Sequence, residues 1–268
     1  MDSNSRSPAS GARSPTAQAP GLPASRATSG IPAVPGTSHG APGAPGASSE
    51  DSSPPGDLRP VLRGWLHLGA LVPALLAGPL LADHGSTTAD QVALSIYAAA
   101  LVALFGVSAA FHRIRWSPGA RRRMRRADHT TIFFAIAGTY TAVAVLALRD
   151  WAQVVILCIA WVGAGIGAAV RQLWLDAPKW AITIPYVVVG WCAIVVLPEL
   201  WHALGPAGFA LLVAGGAAFS VGAVVYARRR PDPLPRVFGY HEVFHACTVV
   251  GVALQFAAIA GFAMGRAG

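Results

Sequence analysis

The sequence predicts an all-α fold: a polytopic membrane protein built as a seven-transmembrane helix bundle, preceded by a disordered N-terminal tail. Three observations carry this expectation. Of the 268 residues 54% are hydrophobic and only 12% charged, and the mean hydropathy is +0.50, a balance foreign to soluble domains. Seven apolar stretches follow one another, each near the ~20 residues that a helix needs to cross the hydrocarbon core. The cations gather in alternate connections between those stretches instead of lining one amphipathic face.

The chain divides at about residue 57. Residues 1–57 are Ser, Pro, Gly and Ala, with ten of the 21 prolines and almost no large apolar groups. Such a segment buries too little surface to offset the entropy of ordering it, so a disordered cytoplasmic tail is expected. It has no apolar core behind a basic start and is not a signal peptide. Residues 58–268 form the seven-helix domain, with spans expected at 65–82, 91–112, 128–148, 152–170, 180–197, 207–227 and 239–263. Gly163, Gly165 and Gly167 in the fourth span, and Gly215 and Gly216 in the sixth, allow close helix approach. Pro73, Pro79 and Pro185 fall inside spans, where neighbouring helices can satisfy the freed carbonyls.

Orientation follows from the positive-inside rule. The flank before span one and the connections after spans two, four and six hold 15 Lys and Arg, against 2 on the other side. That places the N-terminus in the cytoplasm and the C-terminus outside, in the plasma (cytoplasmic) membrane. The pI of about 10.2 and charge of +8 are thereby explained by topogenic loops resting on anionic headgroups; membrane lipids, not nucleic acid, are the expected partners. Cys158, Cys192 and Cys247 are odd in number and scattered through apolar runs, which reads as buried thiols, not a disulfide framework or a zinc ribbon.

Polar residues inside the spans carry the chemistry. In Phe238–Gln255 (FGYHEVFHACTVVGVALQ), His241 and His245 stand four apart, so both imidazoles leave one helix face. Ser108 and His112 repeat that spacing at the end of span two, and Asp128 opens span three. With the orientation above, all five lie at the cytoplasmic depth. Each has a plain alternative: interfacial histidines bonded to carbonyls or headgroups, an acid favoured at a helix N-terminus, a serine bonding between helices. What separates the two readings is coincidence at one depth. Three histidines with an open position are a familiar catalytic zinc arrangement, and a nearby carboxylate can orient water or take its proton. Of the remaining histidines, His84 and His202 are expected in outward loops, His129 turns away from Asp128 around the helix, and His67 enters span one at the same depth as the others.

The stretches SAAFHRIRW, RRADHTTIFFAIAGTYTAVAVL and FGYHEVFHACTVVGVALQF resemble the hemolysin III family, bacterial relatives of the progestin and adiponectin receptors. RGWLHLGALVPALLAGPLL resembles that family's first span, His67 included, and the likeness extends over roughly residues 60–265. Together with the alkaline ceramidases, these proteins form a seven-span group proposed to be metal-dependent hydrolases. The resemblance implies zinc on His112, His241 and His245, Asp128 holding the metal's water and Ser108 beside it as the second catalytic residue. Ala142 departs from the pattern, standing where the family often has proline after GTYT.

Three functions follow from these residues. The first is a zinc-dependent hydrolase of a lipid amide or ester at the inner leaflet. The second is a non-enzymatic protein, receptor-like, homeostatic or cytolytic, whose metal ties spans two and seven together. The third takes HEVFH as an HExxH metalloprotease motif with Glu242 as base, which needs a further ligand from elsewhere.

Overall fold

The computed structural model describes residues 60–267 apart from Leu175; the expected tail over 1–57 lies outside them. The described chain is helical throughout: α1 (Trp65–Asp83), α2 (Thr88–Arg113), α3 (Pro118–Ala147), α4 (Asp150–Leu173), α5 (Lys179–Gly190), a 3-10 turn (Cys192–Val196), α6 (Leu197–Arg228) and α7 (Tyr240–Ala267). Consecutive helices pack as neighbours and α7 returns to α1, closing the ring. Of the spans, α3 is the one most enclosed by its neighbours, touching α2, α4, α5, α6 and α7.

Six continuous stretches are long and apolar enough to cross a membrane, and one of them, Thr183–Arg228, runs 46 residues. Straight, it would measure ~69 Å at 1.5 Å per residue, more than twice the hydrocarbon thickness. Instead it doubles back. Gly205 adopts φ 64 and ψ 176, a region that only glycine enters at low cost, and Pro206 follows it. Trp191 and Ser220, on opposite sides of that glycine, are hydrogen bonded by the indole Nε1–H to the hydroxyl at 2.8 Å. The stretch is therefore a hairpin, and the described residues make seven passes, as the sequence predicts.

The bundle wears its apolar side chains outward. Val72, Leu76, Leu80, Val162, Ile166 and Val188 are all more than half exposed, a surface that suits lipid and not water. Exposed tryptophans mark both ends: Trp65, Trp174 and Trp180 at one, Trp151 and Trp201 at the other. The fold is that of an integral membrane protein.

Four details depart from expectation. The third helix begins at Pro118, not near 128, with Ser117 before it and proline in its first turn, so the arginine-rich run is helix for most of its length. The fifth span is not one helix but α5, the 3-10 turn and the start of α6. Cys158 is exposed on the outer face of α4, while Cys192 is buried and Cys247 half-buried. Finally, Gly163 and Gly167 do admit Val189 and Phe133, and Gly215 admits α7, but a Cβ on Gly165 would meet nothing within 4 Å.

Candidate metal centre

The end of the bundle where α1, α3, α5 and α7 begin and α2 ends holds the histidines. On α7, His241 and His245 share a face, their ring centroids 4.5 Å apart. His112, in the last turn of α2, faces both: its Nε2 is 3.2 Å from Nε2 of His241, and its ring lies 5.1 Å from that of His245. One nitrogen from each of the three falls within 4.8 Å of the others. Tetrahedral nitrogen ligands at 2.0–2.1 Å from zinc stand ~3.4 Å apart, so one pair already has that spacing and the third ring closes it by rotation. Neutral imidazoles without a carboxylate among them suit zinc and its neighbours in the first transition series, not calcium or magnesium.

A fourth imidazole completes the cluster. His67 of α1 stacks on His245 at 3.9 Å between centroids and 9° between planes, with Phe105 edge-on at its other side. It is buried, and neither ring nitrogen has a hydrogen-bond partner among the described residues. Its depth was legible in the sequence; its contact with His245 was not.

The segment before α1 holds the cluster from outside. The Val61 and Leu62 amides donate to the carbonyls of Arg236 and Val237, at 3.1 and 3.2 Å, tying this strap to the α6–α7 connection. Gly64, at φ 80, turns it over His112, where any Cβ would come within 2.7 Å of the His112 Cβ. Beside it Arg63 donates through Nε to Oε1 of Glu242, whose other oxygen accepts the Gly239 amide at 2.9 Å. Glu242 is fully buried, and both its oxygens are engaged in holding the start of α7. The HExxH reading thereby loses its base.

Asp128 lies eleven residues into α3 and is buried, so the alternative of a helix N-terminal acid does not hold. Next to it, His129 does turn away, towards α4: its Nδ1 accepts from Nε of Arg171 at 2.8 Å, and its carbonyl from the Tyr186 hydroxyl at 2.9 Å. Ser108 is buried one turn before His112. His84 caps α1 through a contact of its Nδ1 with the Leu80 carbonyl, and His202 sits exposed on α6, not in a loop.

Ser108, Asp128, His67, His241 and His245 all line one cavity of about 180 Å³. Along α3 it reaches from Asp128 to Val143, fifteen residues or ~22 Å, and away from these polar residues its walls are mainly Leu, Ile, Val and Phe. Of the five residues singled out in the sequence, Ser108, Asp128, His241 and His245 line this cavity, and His112 adjoins it through its contacts with His241 and His245.

A helical membrane bundle with a three-imidazole cluster beside an apolar chamber, His245 buried and the other two half-buried, defines a class: integral membrane proteins with a histidine centre at one bilayer face. Within that class the family model described as "Haemolysin-III related" matches residues 57–256, and the chain belongs to that family. It is similar to the Hemolysin-3 of Bacillus cereus, with 31% identity over 191 residues, covering 70% of this chain and 84% of that one. It is also similar to the Hemolysin-3 homolog of Bacillus subtilis (strain 168), with 27% identity over 185 residues, covering 69% and 84%. No solved structure gives a significant match.

Proposed function

We propose that this protein is a zinc-dependent hydrolase of a lipid amide or ester, working at the cytoplasmic leaflet with His112, His241 and His245 as metal ligands. The observation that carries the proposal is the placement of the imidazoles together with Asp128 and Ser108 at the polar end of a chamber long enough for an acyl chain. The count of 15 cations to 2 supports the cytoplasmic assignment of that end. Zinc supplies Lewis-acid polarisation of a carbonyl and of water at neutral pH. Asp128 is the group that accepts the proton as water adds to the carbonyl carbon, and later returns it to the leaving amine or alkoxide. Ser108, a turn from His112, offers a hydroxyl to the oxygen on which charge develops. The apolar walls hold the chain and keep bulk water from the reacting carbonyl.

Elemental analysis of the purified full chain, beside release of fatty acid from a panel of ceramides and phospholipids, tests this reading. Stoichiometric zinc with turnover of at least one lipid class is the expected result. Zinc without turnover on any of them would favour the non-enzymatic reading, to which the relatives' name, hemolysin, also points.

A further inference from the structure

The chamber behind the histidines is not uniformly apolar. On α7, in a run without charge from Val243 to Gly265, stands Gln255, ten residues or ~15 Å beyond His245. Its side chain lines the chamber and lies over Gly215 of α6, where a Cβ would come within 2.6 Å of the Gln255 Cγ. The missing Cβ leaves room for the amide.

The other polar side chains at this depth are already engaged. Thr139 donates to the Ala135 carbonyl and Thr248 to that of Phe244. Tyr140 donates to the Gly190 carbonyl and accepts the Ala193 amide. Trp191 donates to Ser220, whose hydroxyl donates to Gly216. Beside these five residues, Gln255 has no hydrogen-bond partner among the described residues. An amide carries two donors and a carbonyl acceptor, and leaving them unmet at membrane depth is costly.

We propose that Gln255 reads a polar group on the ligand's chain, a hydroxyl or keto oxygen placed about mid-chain when the carbonyl sits at the histidines. The inference rests on the lipid reading above and sharpens it: the preferred ligand is an oxygenated acyl chain, not a plain one. Leucine at this position would fit the same hollow and reward a plain methylene chain instead.

The test is competition binding on the zinc-loaded full chain in lipid nanodiscs, with radiolabelled stearic acid displaced by stearic acids hydroxylated near the carboxyl, at mid-chain or near the methyl end. The mid-chain isomer is expected to bind on the order of 10-fold more tightly than stearic acid, and the other two are not. In Gln255→Leu the preference disappears and stearic acid binds more tightly, while zinc content stays unchanged. Equal binding of all four acids by the wild type, or a mid-chain preference that survives Gln255→Leu, would overturn the role of Gln255 and leave the lipid reading standing. If the wild type binds none of the acids, the lipid reading itself fails and this inference falls with it.

Discussion

The imidazole of His67 lies flat on that of His245, 3.9 Å between centroids, and among the described residues no atom hydrogen bonds to either of its nitrogens. A stack of that kind fixes the plane of a ligand ring without competing for its lone pair. Replacing His67 by alanine should free the His245 ring and weaken zinc binding by about 10-fold, the worth of an aromatic pair. His67→Phe keeps the stack and should stay within ~3-fold of wild type. Titration with a zinc indicator in detergent separates the two; equal loss in both variants would show that the nitrogens, not the face, matter.

Ligands and proton acceptor should fail differently. Alanine at His112, His241 or His245 should strip most of the zinc, because two imidazoles hold it far less well than three. Asp128→Asn keeps shape and metal but accepts no proton, so lipid turnover should fall by ~100-fold or more with zinc retained. Elemental analysis and fatty-acid release on the same preparations decide between a catalytic and a merely structural centre; a silent Asp128→Asn variant would mean the latter.

The Arg63–Glu242 pair should matter for stability and not for the chemical step. Arg63→Ala leaves the Glu242 carboxylate enclosed without its cation, at a cost of about 3 kcal/mol. Glu242→Gln still accepts the Gly239 amide, and Arg63, a quarter exposed, can rehydrate, so the loss should be nearer ~1 kcal/mol. Thermal unfolding measures both. Lipid turnover per folded molecule should be unchanged in Glu242→Gln, and its abolition would make Glu242, not Asp128, the group that takes the proton.

Gly167 is the tightest helix crossing. A Cβ there would run into the Phe133 ring, itself buried between α3 and α4, so Gly167→Ala should destabilise by about 1–3 kcal/mol. Gly165→Ala, two positions away and open, should not. A pair of melting curves checks the contrast.

The orientation makes its own forecast. A reporter that works only in the cytoplasm, fused after Gly268, should stay silent, whereas the same reporter at the N-terminus should be active. The reverse pattern would put the histidines on the outer face and remove the inner leaflet as the place of action.

Much of this architecture was legible in the chain. The spacing of His241 and His245 fixed a shared face, and apolar length located all the spans, because both are local properties. Hydropathy underestimates α3, since it registers only the part in lipid; Ser117–Pro118 was the cue that the helix starts a good ten residues earlier. The gap between the spans expected at 180–197 and 207–227 marked the hairpin, but the break of the fifth pass into α5 and a 3-10 turn had no comparable cue. The contacts that shape the site are of another kind. His67 on His245, Arg63 on Glu242, and Asp90 reaching Arg266 at the opposite end, 3.5 Å away, each join positions more than 170 residues apart. No window along the sequence contains both partners.

That separation has a consequence for how the protein is made. His112 emerges early and meets His241 only after a further 129 residues have been synthesised and inserted. Until α7 enters the bilayer, the nascent chain offers zinc a single imidazole of the three, no better than a stray surface histidine. For the metal centre proposed above, loading would thus be the closing act of biogenesis, and a chain stalled or clipped before its last helix would lack two of the three imidazoles.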